Sequence, residues 1–148
     1  MIITRATGET LPQAAALACE LWPGHTAQEF LSEFEAFSPG EGAVFLAVED
    51  SIPAGFAQCQ LRHDYVEGTD SSPVGYLEGV YVREQYRGRG VARALLQACE
   101  GWAAEQGCVE FASDCELDNA GSIAFHLSAG FTEANRIVCF TKQLREEA

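Results

Sequence analysis

The chain has 148 residues, enough for one compact domain with its own core, and no second domain is indicated. Nine basic and 22 acidic residues give a formal net charge of −13, which argues against nucleic acid, whose phosphates would be repelled, and favours a cationic partner. The same acidity is also typical of an ordinary soluble protein. No apolar run reaches the ~18 to 20 residues of a membrane span, and the first residues lack a signal peptide's apolar centre. We therefore expect a single cytoplasmic domain over residues 1–148, without membrane contact.

Six cysteines are present without CxxC spacing or a secretory signal, so neither disulfides nor a metal site are predicted. Most lie in apolar segments and are expected to be small buried side chains. Cys115 is the exception, because it follows Asp114 at a predicted strand end and should be exposed. A catalytic thiol there is the less favoured alternative.

The first half of the chain has clear start and stop signals for helices. Thr10 is placed to cap a helix with Pro12 in its first turn, and Pro23-Gly24 ends that helix. Thr26 and Glu29 have the spacing of a capping box, which begins a second helix. The predicted elements are a strand at Ile2–Ala6, helices at Leu11–Leu21 and from Thr26 to about Phe37, and strands at Val44–Glu49 and Ala54–Arg62.

A strand, a glycine-rich turn and a helix follow within Tyr76–Glu100. The strand, Tyr76–Val82, is β-branched and aromatic with one carboxylate, Glu78, inside it. Gly88 and Gly90 then let the backbone approach a ligand and turn its N–H groups one way at the start of a helix, as a phosphate site needs. Taken alone, the same residues are equally typical of a plain strand-to-helix turn. The dinucleotide fingerprint and the P-loop are both absent.

The remaining elements alternate between strand and helix. Gly107 is expected to end the long helix, and Gly130 the one after it. The predicted elements are a strand at Val109–Asp114, a helix at Asn119–Ala129 and a last strand at Arg136–Gln143. The whole order is β-α-α-β-β-β-α-β-α-β.

The glycine-rich turn, Gln85–Gly90, resembles the Gln/Arg-x-x-Gly-x-Gly/Ala signature of the GNAT acyltransferase family. The small pair Val91-Ala92 follows it as in that family, Gly130-Phe131 comes some forty residues on, and the element order agrees. The resemblance covers nearly the whole chain. It implies an α/β (α+β) GNAT fold, with a mixed, mostly antiparallel central sheet flanked by helices, and acetyl-CoA as co-substrate without a metal.

The resemblance also implies where acetyl-CoA binds. In the family the central strand is bulged, here expected at Gly79, and parts from its neighbour, so that N–H groups face the thioester and pantetheine. Many members carry a tyrosine that protonates the departing thiolate where this chain has His126, so the general acid is open between proton donation and a capping or packing role. The implied contacts are Val80, Tyr81, Val82, Arg87, Gly88, Arg89, Gly90, Val91, Ala92, Asn119 and His126.

Within that family, five separated segments resemble the aminoglycoside 6′-N-acetyltransferases. The segments are Leu21–His25, Arg62–Tyr65, Asp70–Pro73, Leu77–Gly79 and Ala112–Asp114. This implies acetyl transfer to the 6′-amine of a polycationic aminoglycoside, conferring antibiotic resistance, by a protein that is usually a homodimer. The alternatives are a GNAT enzyme for another amine, such as a polyamine or a protein N-terminus, and a non-catalytic acyl-CoA-binding module.

Glu78 and Asp114 are the candidate catalytic residues, at matching ends of adjacent predicted strands. Each could bind the substrate ammonium and take its proton, directly or through water, and Asp114 is favoured as the base. The alternatives are a solvated carboxylate for Glu78 and a helix or turn cap for Asp114. Positions matching the family's sugar site are Trp22, His25 and Tyr65, with Asn135 where relatives can carry a carboxylate.

Overall fold

The computed structural model describes residues 1–146 and divides into two compact units, Met1–Asp114 and a second unit that begins at Cys115. The first unit holds all five strands and three of the four α-helices among the described residues. Its elements are β1 (Ile2–Arg5), α1 (Leu11–Leu21), α2 (Ala27–Glu35), β2 (Gly42–Glu49), β3 (Ile52–Arg62), β4 (Val74–Val82), α3 (Val91–Glu105) and β5 (Phe111–Ser113). The second unit holds α4 (Ala120–Ser128).

The five strands form one sheet in the order β1-β2-β3-β4-β5. The first three pairings are antiparallel and the last, between β4 and β5, is parallel. Asp50 and Ser51 make the two-residue turn between β2 and β3 with positive φ at both positions, the backbone that such a tight hairpin requires. The predicted mixed, mostly antiparallel sheet is confirmed.

Helices cover both faces of this sheet. Phe56 and Cys59 of β3 point to opposite faces because side chains alternate along a strand. On the Phe56 side, Leu17 of α1 and Phe30 of α2 join Phe56 in one buried cluster. On the other side, Cys99 of α3 reaches the buried Cys59. Each fully buried large apolar side chain of this kind contributes roughly 1.5–3 kcal/mol.

The predicted starts of α1 and α2 are correct, although a side chain caps only α2. The Thr26 hydroxyl accepts from the Glu29 N–H at 3.2 Å, and the Glu29 carboxylate accepts from the Thr26 N–H at 3.4 Å. Thr10 stands at the predicted cap position, but its hydroxyl donates to the Thr7 carbonyl at 3.0 Å. A short 3₁₀ turn before α1 therefore occupies the side chain that was expected to cap it.

The predicted last strand, Arg136–Gln143, is wrong for this structure: residues 131–146 are described and contain no strand. An apolar alternation favours an extended chain, but a strand forms only where a partner takes its backbone hydrogen bonds.

The expectation that most cysteines are buried is also partly wrong. All six are free, only Cys59 and Cys99 are buried, and Cys139 in that irregular segment is exposed. The expected exposure of Cys115 is confirmed.

Candidate active site

A bulge interrupts the pairing of β4 with β3. Gln58 lies opposite Gly79 and Cys59 opposite Leu77, so Glu78 is the extra residue on β4. The bulge was predicted at Gly79, which is one residue further along the chain. Gly79 has a different part, because a Cβ there would lie 2.7 Å from Cζ2 of the Trp22 ring, closer than side-chain carbons pack. Only glycine lets Trp22 rest against the bulged strand.

Beyond the bulge, β4 and β5 part from one another. The parallel pairing joins only Gly75–Leu77 to Phe111–Ser113, whereas β4 continues to Val82 along β3. Within residues 1–146, the stretch 78–82 therefore has no strand partner on its β5 side. Val80, Tyr81 and Val82, which were predicted to contact acetyl-CoA, lie in this stretch. Backbone N–H groups that no strand pairs can donate to a ligand carbonyl or oxyanion.

The two predicted carboxylates, Glu78 and Asp114, are joined through two residues that sequence reasoning missed. Arg62, the last residue of β3, donates from Nη2 to Glu78 Oε1 at 3.1 Å and from Nε to Oε2 at 3.3 Å. The Arg62 guanidinium carbon lies 3.5 Å from the centroid of the Tyr76 ring. The Tyr76 hydroxyl donates to Asp114 Oδ2. The four side chains thus form one continuous cluster, which we call the carboxylate cluster.

Both carboxylates have a side-chain partner on another residue of the sheet, and their catalytic roles stay predictions. Glu78 is not a solvated strand carboxylate, since its side chain is 20% exposed and bound by a guanidinium. Asp114 accepts a hydrogen bond across the β4–β5 pair rather than standing only as a local cap. A sequence signal existed for both missed residues. Arg62 lies in one of the five resembling segments, and Tyr76 precedes Glu78 by two positions, the spacing of one strand face.

Tyr76 is held as a permanent hydrogen-bond donor. Burial, followed by the bond to the Asp114 carboxylate, raises the pKa of the Tyr76 hydroxyl well above its usual range. The ring is 6% exposed and packs in a cluster with Val66, Val74 and Ala112. Across physiological pH the hydroxyl therefore keeps its proton and directs it at Asp114.

Trp22 and His25 lie at the C-terminal end of α1 and the start of α2. The Trp22 ring stacks on Phe30, with centroids 5.5 Å apart, and is half-buried beside the bulge. His25 is exposed, and its Nδ1 lies 3.1 Å from Glu29 Oε2. Trp22 thus lies against the face of β4 at Gly79, whereas His25 contacts the capping box of α2.

Tyr65 lies on the loop between β3 and β4, which is anchored although Tyr65 itself is exposed. Glu110 accepts from the Ser71 hydroxyl at 2.5 Å and from the Asp70 N–H at 2.9 Å. These two bonds, the hydroxyl first, hold the pKa of the Glu110 carboxyl below its usual value. Val66 is buried beneath the loop, and the neighbouring Tyr65 is 77% exposed. Tyr65 is therefore presented to solvent from a fixed loop.

The glycine-rich turn has the open backbone that the sequence predicted. Gly88 and Gly90 both have φ of +77°, and a Cβ at either position would meet nothing within 4 Å. Gly90 is the N-cap residue of α3, so Val91 and Ala92 open the helix with their N–H groups at its positive end.

Both arginines of this turn are bound to the protein itself. Arg87 Nε donates to the Val82 carbonyl at 2.7 Å, and Arg89 binds Glu49 at 3.2 Å. In this structure the arginines fix the turn, while the glycines leave room in front of it.

The remaining predicted residues belong to the second unit. The Asn119 side chain caps α4 by accepting from the Ser122 N–H at 3.1 Å. His126 Nδ1 lies 2.6 Å from the Ser122 carbonyl oxygen, so this nitrogen is the donor. Asn135 accepts from the Arg136 N–H at 2.8 Å and is exposed. These bonds describe local capping, and the predicted ligand contacts of the three residues stay predictions.

Residues 1–146 contain no group of three or more His, Cys, Asp or Glu side chains arranged to hold a metal ion. Over the same residues no helix combines the length and the apolar character needed to cross a membrane. The groups found at the opening of β4 are backbone N–H groups, carboxylates, a guanidinium and a tyrosine hydroxyl.

Comparison with known proteins assigns the family. The model of the acetyltransferase (GNAT) family matches residues 11–131, which is most of the chain. The chain therefore belongs to the GNAT acetyltransferase family.

More particular similarity is found to one group of relatives. The chain is 45% identical over 148 residues to an aminoglycoside N(6′)-acetyltransferase type 1 of Stenotrophomonas maltophilia, covering 99% of this chain and 95% of the relative. It is also 45% identical to the Klebsiella aerogenes protein of the same name, over 92% of this chain and 93% of that one.

The chain is also similar in fold and sequence to solved structures of AAC(6′) proteins. AAC(6′)-Iy in complex with the bisubstrate analogue CoA-S-monomethyl-acetylneamine superposes with a TM-score of 0.91 at 38% identity, covering 96% of this chain and 97% of that one. AAC(6′)-IG from Acinetobacter haemolyticus gives a TM-score of 0.89 at 36% identity, over 98% and 100% of the two chains.

Proposed function

We propose that the chain transfers the acetyl group of acetyl-CoA to the 6′-amino group of an aminoglycoside, and so confers resistance to that antibiotic. The observation that carries this proposal is the carboxylate cluster beside the unpaired stretch of β4. It puts groups that attract an ammonium next to backbone that can hold a thioester. The relatives with this enzyme name extend over nearly the whole chain, which supports the same substrate class here.

The reaction requires a neutral amine. An aminoglycoside ammonium that enters the opening meets Asp114, which takes a proton from it directly or through a water molecule. The amine nitrogen then attacks the thioester carbon, and the resulting oxyanion is stabilised by N–H groups of the stretch 78–82. The intermediate collapses with cleavage of the C–S bond, and the departing coenzyme A thiolate takes up the second proton that the amine nitrogen loses, directly or through water. Trp22, His25, Tyr65 and Glu78 are proposed to line the sugar site.

Acetyl-CoA is held chiefly by backbone in this proposal. The pyrophosphate would lie in front of Gly88 and Gly90, where no protein atom fills the space within 4 Å of a Cβ, at the N-terminus of α3. That helix has 15 residues, so its terminal N–H groups carry a developed positive end. Arg87 and Arg89 are proposed to act by fixing the turn, because their guanidinium groups already have protein partners.

The remaining proposals concern organisation and location. The family model crosses the boundary between the two compact units, which supports a single domain. Six free cysteines suit the reducing cytoplasm, the compartment we propose for the protein.

A homodimer is proposed because Ile137, Val138, Phe140 and Leu144 are each at least 67% exposed in a segment with strand-like composition. A second copy would bury them. Analytical ultracentrifugation at micromolar concentrations should give a dimer, and a monomer would contradict this.

A panel of amines tests the proposed function. Purified protein is incubated with acetyl-CoA and, in parallel, with a kanamycin-like aminoglycoside, a polyamine and a peptide with a free N-terminus, while the released coenzyme A thiol is measured. We expect kcat/KM to be highest for the aminoglycoside. A preference for the polyamine or the peptide would favour a GNAT enzyme of another amine. Binding of acetyl-CoA without turnover of any amine would favour the non-catalytic acyl-CoA-binding module.

A further inference from the structure

The carboxylate cluster treats its two acids differently. Glu78 is met by a charged guanidinium with both of its oxygens engaged, whereas Asp114 is met by a neutral hydroxyl. A guanidinium partner compensates the negative charge of a carboxylate. A tyrosine hydroxyl orients the carboxylate but leaves its charge in place. Within this cluster Asp114 therefore has a neutral donor as its partner, whereas Glu78 has a cationic one.

Tyr76 is built to hold Asp114 in one orientation. Its ring is buried against Val66 and Val74, and the Arg62 guanidinium carbon lies over it, 3.5 Å from the ring centroid. A stacked guanidinium of this kind stabilises the position of the ring. The raised pKa keeps the hydroxyl protonated, so the bond to Asp114 persists over the pH range in which an amine is deprotonated.

We propose that Tyr76 is a positioning residue that aims the Asp114 carboxylate at the reacting amine, and that Arg62 positions Tyr76 and Glu78 by stacking on the one and binding the other. The inference rests on the proposed function. It assigns a role in the reaction to two further residues, one on β3 and one on β4. Neither is expected to touch the acetyl group. Because a displacement of about 1 Å at a reacting group can cost ~10²-fold in rate, the Tyr76 hydroxyl should matter although it transfers no proton.

A double-mutant cycle separates positioning from a general structural role. Tyr76→Phe removes the hydroxyl and keeps the ring that packs in the core and carries Arg62. We expect kcat to fall about 10- to 100-fold, with the Kd for acetyl-CoA and the circular dichroism unchanged. In an Asp114→Asn background the same change should have almost no further effect, because Tyr76 acts only through Asp114. Parental kcat in Tyr76→Phe, or losses that multiply in the double variant, would overturn the proposal.

Arg62→Lys tests the second half, because lysine keeps the charge but loses the planar two-point contact and the flat stack. We expect a lower kcat or a higher KM for the amine, and parental values of both would remove Arg62 from the proposal. The cycle is run on whichever amine the parent protein acetylates best. A parent that acetylates only amines other than aminoglycosides contradicts the substrate while leaving the positioning test intact. A parent that acetylates no amine contradicts both.

Discussion

The glycine-rich turn and the carboxylate cluster are built in opposite ways. The turn is local: Gly88 and Gly90 adopt left-handed backbone within three residues of each other, and its arginines are anchored on the protein. The cluster is assembled from side chains far apart in sequence, with Arg62 bound to Glu78 16 residues away and Tyr76 to Asp114 38 residues away. The turn should therefore govern acetyl-CoA affinity through backbone shape, and the cluster should govern amine turnover through side-chain chemistry.

Asp114→Asn should produce the largest effect. An amide is nearly the same size but cannot accept the amine proton, so kcat should fall by ~10²–10⁴-fold while the Kd for acetyl-CoA stays parental. Steady-state kinetics and calorimetry measure the two quantities. Asp50→Asn, in the hairpin between β2 and β3, removes the same charge and should leave both unchanged. A parental kcat in Asp114→Asn would move the base elsewhere.

Gly90→Val should have the converse effect. Valine is strained at φ of +77°, at a cost of about 1–2 kcal/mol, and its side chain projects into the space proposed for the pyrophosphate. We expect the Kd for acetyl-CoA to rise at least ~10-fold by calorimetry. Gly107→Val is the matched control, because Gly107 has φ of +93° just beyond the other end of α3 and is equally open. Equal affinities in the two variants would refute the pyrophosphate assignment.

Glu78→Gln tests whether the two carboxylates of the carboxylate cluster have different roles. Because Arg62 already compensates Glu78, its loss should mainly weaken binding of the cationic substrate, raising KM by less than ~10-fold with a smaller change in kcat. Michaelis constants for the aminoglycoside are compared with those of Asp114→Asn. A fall in kcat as deep as that of Asp114→Asn would mean that the two acids share the proton transfer.

A change in salt concentration should have the smallest effect, and it should affect the aminoglycoside more than acetyl-CoA. The formal charge of −13 attracts a polycation over distances that salt screens, with a Debye length of ~10 Å at 0.1 M and ~3 Å at 1 M. We expect kcat/KM for the aminoglycoside to fall severalfold over this range, and the Kd for acetyl-CoA to change less. Equal salt slopes for the two ligands would argue against a cation-collecting site.

Structural features that depend on residues close together in the sequence could be predicted from it. The capping box of Thr26 and Glu29, the stop at Pro23-Gly24 and the open turn at Gly88 and Gly90 all depend on residues within a few positions, and each is present. The family model and the relatives agree with the predicted fold and enzyme class.

What the sequence missed depends on pairing across the sheet. The bulge falls at Glu78 rather than Gly79 because register with β3 is set by packing along both strands, including Trp22 against Gly79. Arg62 and Tyr76 were not expected at the site because their partners lie on other strands. The last predicted strand failed for a related reason, since composition does not say whether a partner strand is there to pair with it.

We propose above all that this site acetylates a 6′-amine. The most direct measurement compares two aminoglycosides that differ only in carrying an amine or a hydroxyl at position 6′, with thiol release followed in time and the product located by NMR. We predict rapid acetyl transfer to the first, at the 6′-nitrogen, and at least ~10²-fold slower turnover of the second, which lacks the nucleophile that Asp114 is placed to deprotonate. Comparable turnover of both compounds, or a product acetylated at another nitrogen, would contradict it.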